Sequence, residues 1–178
     1  MNTCIALLRG INVGGNTALP MKTLVAILEA LDARNVRTYL QSGNAVFESA
    51  AKDSALLAKT ISEAVLKSQG FAPAVLLLTP AALAKAIADN PFPEAVSDPS
   101  HLHLGFLSCP PTNPDLVKLD GSRKESERFV LTDSVFYLHA PEGVGRSKLA
   151  AGAEKCLGVP MTDRNWKTVC KLLELAGG

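Results

Sequence analysis

The stretch Thr3-Cys4-Ile5-Ala6-Leu7-Leu8 is apolar on both alternating faces, with Ile5 and Leu7 on one and Cys4, Ala6 and Leu8 on the other. Side chains alternate along a strand, so a strand apolar on both faces must be covered on both. This first strand, residues 3–9, ends at Arg9 and runs into a polar, glycine-rich loop, Gly10-Ile11-Asn12-Val13-Gly14-Gly15-Asn16-Thr17. Pro20 stands where a first helical turn tolerates proline, and Met21, Leu24, Val25, Leu28 and Leu31 fall on one helical stripe. Residues 35–40 read as a second strand, Gln41-Ser42-Gly43-Asn44 as a tight turn in which glycine supplies a positive φ, and Ala45-Val46-Phe47 as a third strand. Asp53 or Ser54 caps a second helix that carries Leu57, Ile61, Ala64 and Val65 and stops at Gly70. Ala74-Val75-Leu76-Leu77-Leu78 is a fourth strand, again apolar on both faces.

The order is β-α-β-β-α-β, a split βαβ pattern. Right-handed crossovers place the first two strands parallel, with the third antiparallel between them. The loop after the first strand and the turn between the second and third then lie at the same end of the sheet. Two polar, glycine-containing segments are expected to meet there and share one wet pocket.

The second half is less regular. Thr79-Pro80 starts a helix with Leu83 and Ile87, ended by Pro91 and Pro93. A fifth strand is expected at 101–107, an exposed excursion at 108–126, and a hairpin from Phe129-Val130-Leu131 and Val135-Phe136-Tyr137-Leu138. A helix starts at Ser147 and ends at Gly158 before Pro160. Thr162 reads as the cap of a last helix with an apolar stripe of Trp166, Val169, Cys170 and Leu173. The expected class is α+β: a ferredoxin-like βαββαβ N-terminal subdomain, 1–80, packed on a second, smaller α+β subdomain, 81–178, with a C-terminal helix pair.

With 178 residues the chain suffices for a core, and 47% hydrophobic against 20% charged residues argues against bulk disorder. A formal net charge of +1 does not imply a polyanion bound over the whole surface. The short N-terminal apolar run, cut by Arg9, is not a signal peptide, and no run approaches the roughly 20 apolar residues of a membrane span. A cytoplasmic protein without membrane association is expected. Cys4, Cys109, Cys156 and Cys170 include no C-x-x-C pair and all lie in apolar stretches, so they read as small buried hydrophobes kept reduced.

Three segments together carry a resemblance. They are Leu8-Arg9-Gly10-Ile11-Asn12-Val13-Gly14-Gly15; Val36-Arg37-Thr38-Tyr39-Leu40-Gln41-Ser42-Gly43-Asn44 with Val46-Phe47; and Thr162-Asp163-Arg164-Asn165-Trp166-Lys167-Thr168-Val169. In combination they resemble the bacterial family known as domain of unknown function 1697, over essentially the whole chain. That family's last motif usually has Thr where Asp163 stands and a further Asn where Lys167 stands. The resemblance implies a two-subdomain α+β fold and names no activity.

Each candidate motif has two readings. The loop Gly10–Asn16 offers backbone N–H groups to a phosphate, or is a tight loop that needs glycine at Gly14 and Gly15. It matches neither the P-loop nor the dinucleotide fingerprint. Arg9 ends a buried strand, so it pairs with a carboxylate or carbonyls, or meets an anionic ligand. Gln41, Ser42 and Asn44 form the adjacent polar rim, or simply a polar turn. Residues 146–171 hold Arg146, Lys148, Lys155, Arg164, Lys167 and Lys171 against Glu154 and Asp163. That segment is a solvated helix face or a phosphate-contacting one, with Arg164 and Asn165 as the candidate contacts. His101 and His103 share a strand face, but no acidic or histidine grouping completes a metal site, and no cofactor motif is present.

The reading favoured by these residues is a binding protein for a small anionic ligand or a nucleic-acid phosphate. Its candidate ligand-binding residues are Arg9, Gly10, Asn12, Gly14, Gly15, Gln41, Ser42, Asn44, Arg164 and Asn165. The alternative is a metal-independent hydrolase or transferase on the same surface, which lacks an evident general base. An RNA platform that stacks bases on sheet aromatics fits poorly, because the first strand has no aromatic residue and aromatics total 5%.

Overall fold

A computed structural model describes residues 1–177 of the chain. It divides into two compact units, Met1–Lys85 with the stretch from Lys171 onward, and Ala86–Cys170. Each has one four-stranded antiparallel sheet with helices, an α+β architecture.

In the first unit the elements are β1 (Asn2–Arg9), α1 (Met21–Ala30), β2 (Arg34–Tyr39), β3 (Asn44–Ser49), α2 (Ser54–Gln69) and β4 (Ala74–Leu78). The strand order is β2-β3-β1-β4, the ferredoxin-like arrangement that the βαββαβ order requires. Asp53 accepts a hydrogen bond from the Leu56 N–H, and Gly70 at φ 82° closes α2 in the left-handed conformation. Ala6 and Leu8 of β1 pack with Ala45 and Phe47 of β3, Leu24 and Leu28 of α1, and Ile61 and Val65 of α2. Ile5 and Leu7, on the opposite face of β1, are as fully buried as Ala6 and Leu8. The apolar character of both faces thus reports burial of both.

The second unit continues with α3 (Pro80–Ala88), which spans the division, β5 (Leu102–Leu107), α4 (Leu116–Gly121), β6 (Arg128–Leu131), β7 (Val135–His139), α5 (Lys148–Leu157), β8 (Met161–Asn165) and α6 (Trp166–Leu175), which spans the division at Lys171. Its strand order is β6-β7-β5-β8. Ser147 caps α5 by accepting from the Ala150 N–H, and Gly158 at φ 72° ends it.

Three expectations are corrected here: the exposed 108–126 excursion, the Thr162 cap and the burial of all four cysteines. Residues 108–126 are not wholly an exposed excursion: Leu116–Gly121 is a helix, capped by Asp115, whose Leu119 is fully buried with Phe136, Leu138 and Leu157. Thr162 does not cap the last helix. Met161–Asn165 is an edge strand paired with β5, and the cap is Asn165, whose Oδ1 accepts from the Thr168 N–H at 3.0 Å. Thr, Asp and Asn are all cap formers, so their run marks a helix start without saying which residue occupies it. The cysteines are free and differ in burial: Cys156 is buried, Cys4 and Cys170 are half-buried, and Cys109 is exposed.

Candidate functional site

The register of β1 with β3 pairs Leu7 with Asn44, so the loop leaving Arg9 and the bend before Asn44 share one end of the sheet. Asn12 joins them. Its Nδ2 donates to the Gln41 carbonyl at 2.6 Å and the Leu19 carbonyl at 3.0 Å, while Oδ1 accepts from the Leu19 N–H at 2.8 Å. The Asn12 N–H donates to the Thr17 carbonyl at 2.8 Å, closing the loop on itself. Asn12 does this at φ 54°, a left-handed conformation that asparagine tolerates better than most residues. The Leu8 N–H donates to the Gly43 carbonyl at 2.8 Å, a second tie between strand and bend.

The two segments meet, but the space between them is not a wet pocket. Ile11 is buried, and its Cδ1 lies 2.8 Å from where a Cβ on Gly43 would stand. Leu8 Cβ lies at the same distance, and Leu19 is fully buried. Apolar packing therefore seals the floor, and any ligand must be met by the outer surface of the loop and bend.

The candidate residues divide accordingly. Asn12 spends its amide on backbone groups. Asn44 is fully buried and donates to the Tyr39 carbonyl at 2.8 Å and to Ser42 Oγ at 3.0 Å, which braces the bend from inside. Arg9, Gly10, Gly14, Gly15, Gln41 and Ser42 are exposed. Gly14 and Gly15 stand at φ 69° and 84° with open space around them, so it is backbone conformation, not crowding, that calls for glycine. Among the described residues, their N–H groups meet no acceptor. Two large apolar side chains, Val13 and Leu40, flank the Asn12–Gln41 bond and are 62% and 54% exposed. Leu40 also sits at φ 60°, which is costly for a branched side chain and had no signal in the sequence. No Asp or Glu occurs in residues 1–28 or 36–47, so neither segment contributes a carboxylate that would repel an anion.

Arg164 and Asn165 lie in the second unit, on β8. Arg164 is half-buried, and burial, opposed by the charge of Asp163, draws its guanidinium down to about 10. Its Nη1 donates to the Asp163 carbonyl at 2.7 Å. Asn165 is occupied as the cap of α6.

Each histidine meets a carboxylate. His101 Nδ1 is 2.7 Å from Asp98 Oδ1, and His103 Nδ1 is 2.7 Å from Asp163 Oδ2. Arg128 pairs with Glu94 at 2.5 Å, lies 4.7 Å over the Phe92 ring and donates to His139 Nδ1 at 3.3 Å. Arginine can only donate, so His139 Nδ1 accepts and its Nε2 carries the hydrogen, 3.6 Å from Asp98 Oδ2. The Asp98–His101 pair is local in sequence. The His103–Asp163 pair joins residues sixty apart through the β5–β8 register and has no sequence signature. Among the described residues, no group of three or more His, Cys, Asp or Glu is placed to hold a metal ion, and no helix is long and apolar enough to cross a membrane.

The family described as "Protein of unknown function (DUF1697)" matches residues 1–137, and the chain belongs to it. No curated protein matches the chain. Among solved structures, a conserved bacterial protein from Streptococcus pneumoniae is similar with a TM-score of 0.70. It is 23% identical, with 98% of each chain covered, a likeness that speaks for the fold alone.

Proposed function

We propose that this member of a family of unknown function is a binding protein whose first unit takes up a small anionic ligand, or a nucleic-acid phosphate, on the outer surface of the Gly10–Thr17 loop and the Gln41–Gly43 bend. The observation that carries the reading is the Asn12 clamp. By bonding to Gln41, Leu19 and Thr17 it fixes the loop before any ligand arrives. A preorganised donor surface loses less conformational entropy on binding than a mobile one. The exposed Gly14 and Gly15 N–H groups are the donors, the Gln41 and Ser42 side chains form the rim, and Arg9 supplies positive charge at the base of the loop. Backbone N–H groups combined with a guanidinium are the usual means of holding an oxyanion. Asn12 and Asn44 hold the surface in shape and do not touch the ligand. The proposed surface is drawn from the first unit alone; Arg164 and Asn165 lie on β8 in the second.

Calorimetric titration with pyrophosphate, nucleoside monophosphates and short oligonucleotides tests the proposal. The expected result is saturable binding of at least one, weakened by salt and by Arg9→Ala with the fold intact. Flat titrations throughout, or an Arg9→Ala variant indistinguishable from the parent, would refute it.

A further inference from the structure

His103 lies on β5 and is buried, with 6% of its surface exposed. Both ring nitrogens face acceptors. Nδ1 is 2.7 Å from Asp163 Oδ2 on β8, and Nε2 is 3.1 Å from the Ser100 carbonyl in the turn that enters β5. A carbonyl cannot donate, and an ionised carboxylate cannot either. A neutral imidazole has one N–H and satisfies only one of these two contacts; an imidazolium satisfies both.

We infer that His103 is a charged latch, protonated on both nitrogens at neutral pH, that ties the edge strand β8 and the 98–101 turn to β5, and that losing one proton frees the turn. The proton that leaves is the one on Nε2, because the Nδ1–H stays against the Asp163 carboxylate, where the bond is charge-assisted. Nε2 then presents a lone pair to the Ser100 carbonyl oxygen, and the contact becomes repulsive. The released turn carries Asp98, which also meets His101 and lies near His139, so the change reaches all three histidines. The electrostatic surroundings agree with this direction. Burial is the largest influence and pushes His103 down, but the hydrogen bond and charge of Asp163 and the Ser100 carbonyl together outweigh it, leaving a net upward shift. The charged and titratable groups nearby are Asp163 and Arg164 on β8, Asp98 and His101 in the turn, and His139 on β7.

A group raised in the folded state contributes stability that is complete below its ordinary value and is lost as pH rises through the folded value. The latch therefore opens on the alkaline side of the ordinary histidine range. Nitrogen-15 NMR of the intact chain from pH 5 to 9 reads the His103 ring state, and amide hydrogen exchange reads the turn. The inference expects both His103 nitrogens protonated at pH 7 and a midpoint above the ordinary histidine value. It also expects loss of protection at His101, whose N–H donates to the Asp98 carbonyl, across that midpoint, beyond the intrinsic rise with pH. Asp163→Asn keeps an acceptor without the charge and should lower the midpoint. A His103 that is neutral at pH 7, or a turn whose protection does not follow the His103 midpoint, overturns it. The readout needs no folded His103 variant.

Discussion

Replacing Asn12 tests whether the loop and the bend are one structure. Asn12→Ala removes two hydrogen bonds to Leu19 and one to the Gln41 carbonyl. Gln41 is exposed and water can take its bond, so that loss is only a few tenths to about 1 kcal/mol. Leu19 is fully buried, and stripping partners from its N–H and carbonyl costs about 1–3 kcal/mol in all. Alanine at φ 54° adds roughly 1 kcal/mol, because its Cβ crowds the following carbonyl. The sum is about 2–5 kcal/mol for Ala. Asn12→Gly, which avoids the backbone term, should be milder by about 1 kcal/mol. The Leu19 amide gives the local assay, since its partner is the Asn12 side chain. A loss of 2 kcal/mol speeds its exchange by roughly 30-fold. An Asn12→Ala chain in which Leu19 exchanges at the parental rate, or in which Gly is more damaging than Ala, would refute the clamp.

Other predictions rest on separate contacts. Gly43→Ala meets Ile11 and Leu8 at 2.8 Å and stands at φ 86°, so it should cost about 2–4 kcal/mol in chemical denaturation, while Gly14→Ala, strained but in open space, should cost about 1 kcal/mol. Leu119→Ala should destabilise by about 2–5 kcal/mol, although it lies in a stretch whose Pro, Asp, Ser and Lys content suggests exposure; an effect below about 1 kcal/mol would mean Leu119 is not in the core. Mild alkylation should modify Cys109 first by mass spectrometry. Cys156 is buried, and burial raises the Cys4 and Cys170 thiols, so preferential labelling of any of these would contradict the burial order.

The first unit was legible because its signals agree. Continuous apolar strands, Asp53 and Gly70 at the ends of α2, and Gly43 in the bend each indicate the same element boundaries. The meeting of loop and bend followed from handedness alone. Its apolar floor did not, because Ile11 reads as one hydrophobic residue in a polar loop until Gly43 is seen beneath it. Asn12 and Asn44 looked like contact residues, since an amide that binds a ligand and one that braces a turn are the same in sequence. The second unit was harder. Thr162-Asp163-Arg164-Asn165 has cap chemistry throughout, and only pairing with β5 makes it a strand. Edge strands carry little apolar alternation, so tertiary context decides them.

The most direct measurement is an amide chemical-shift titration of the nitrogen-15-labelled chain with pyrophosphate and nucleoside monophosphates. Saturable shifts concentrated at Gly10, Gly14, Gly15, Gln41 and Ser42, with Leu19 and Asn44 unmoved, are the predicted result. Shifts centred elsewhere in the chain, or none at millimolar ligand, would contradict the account.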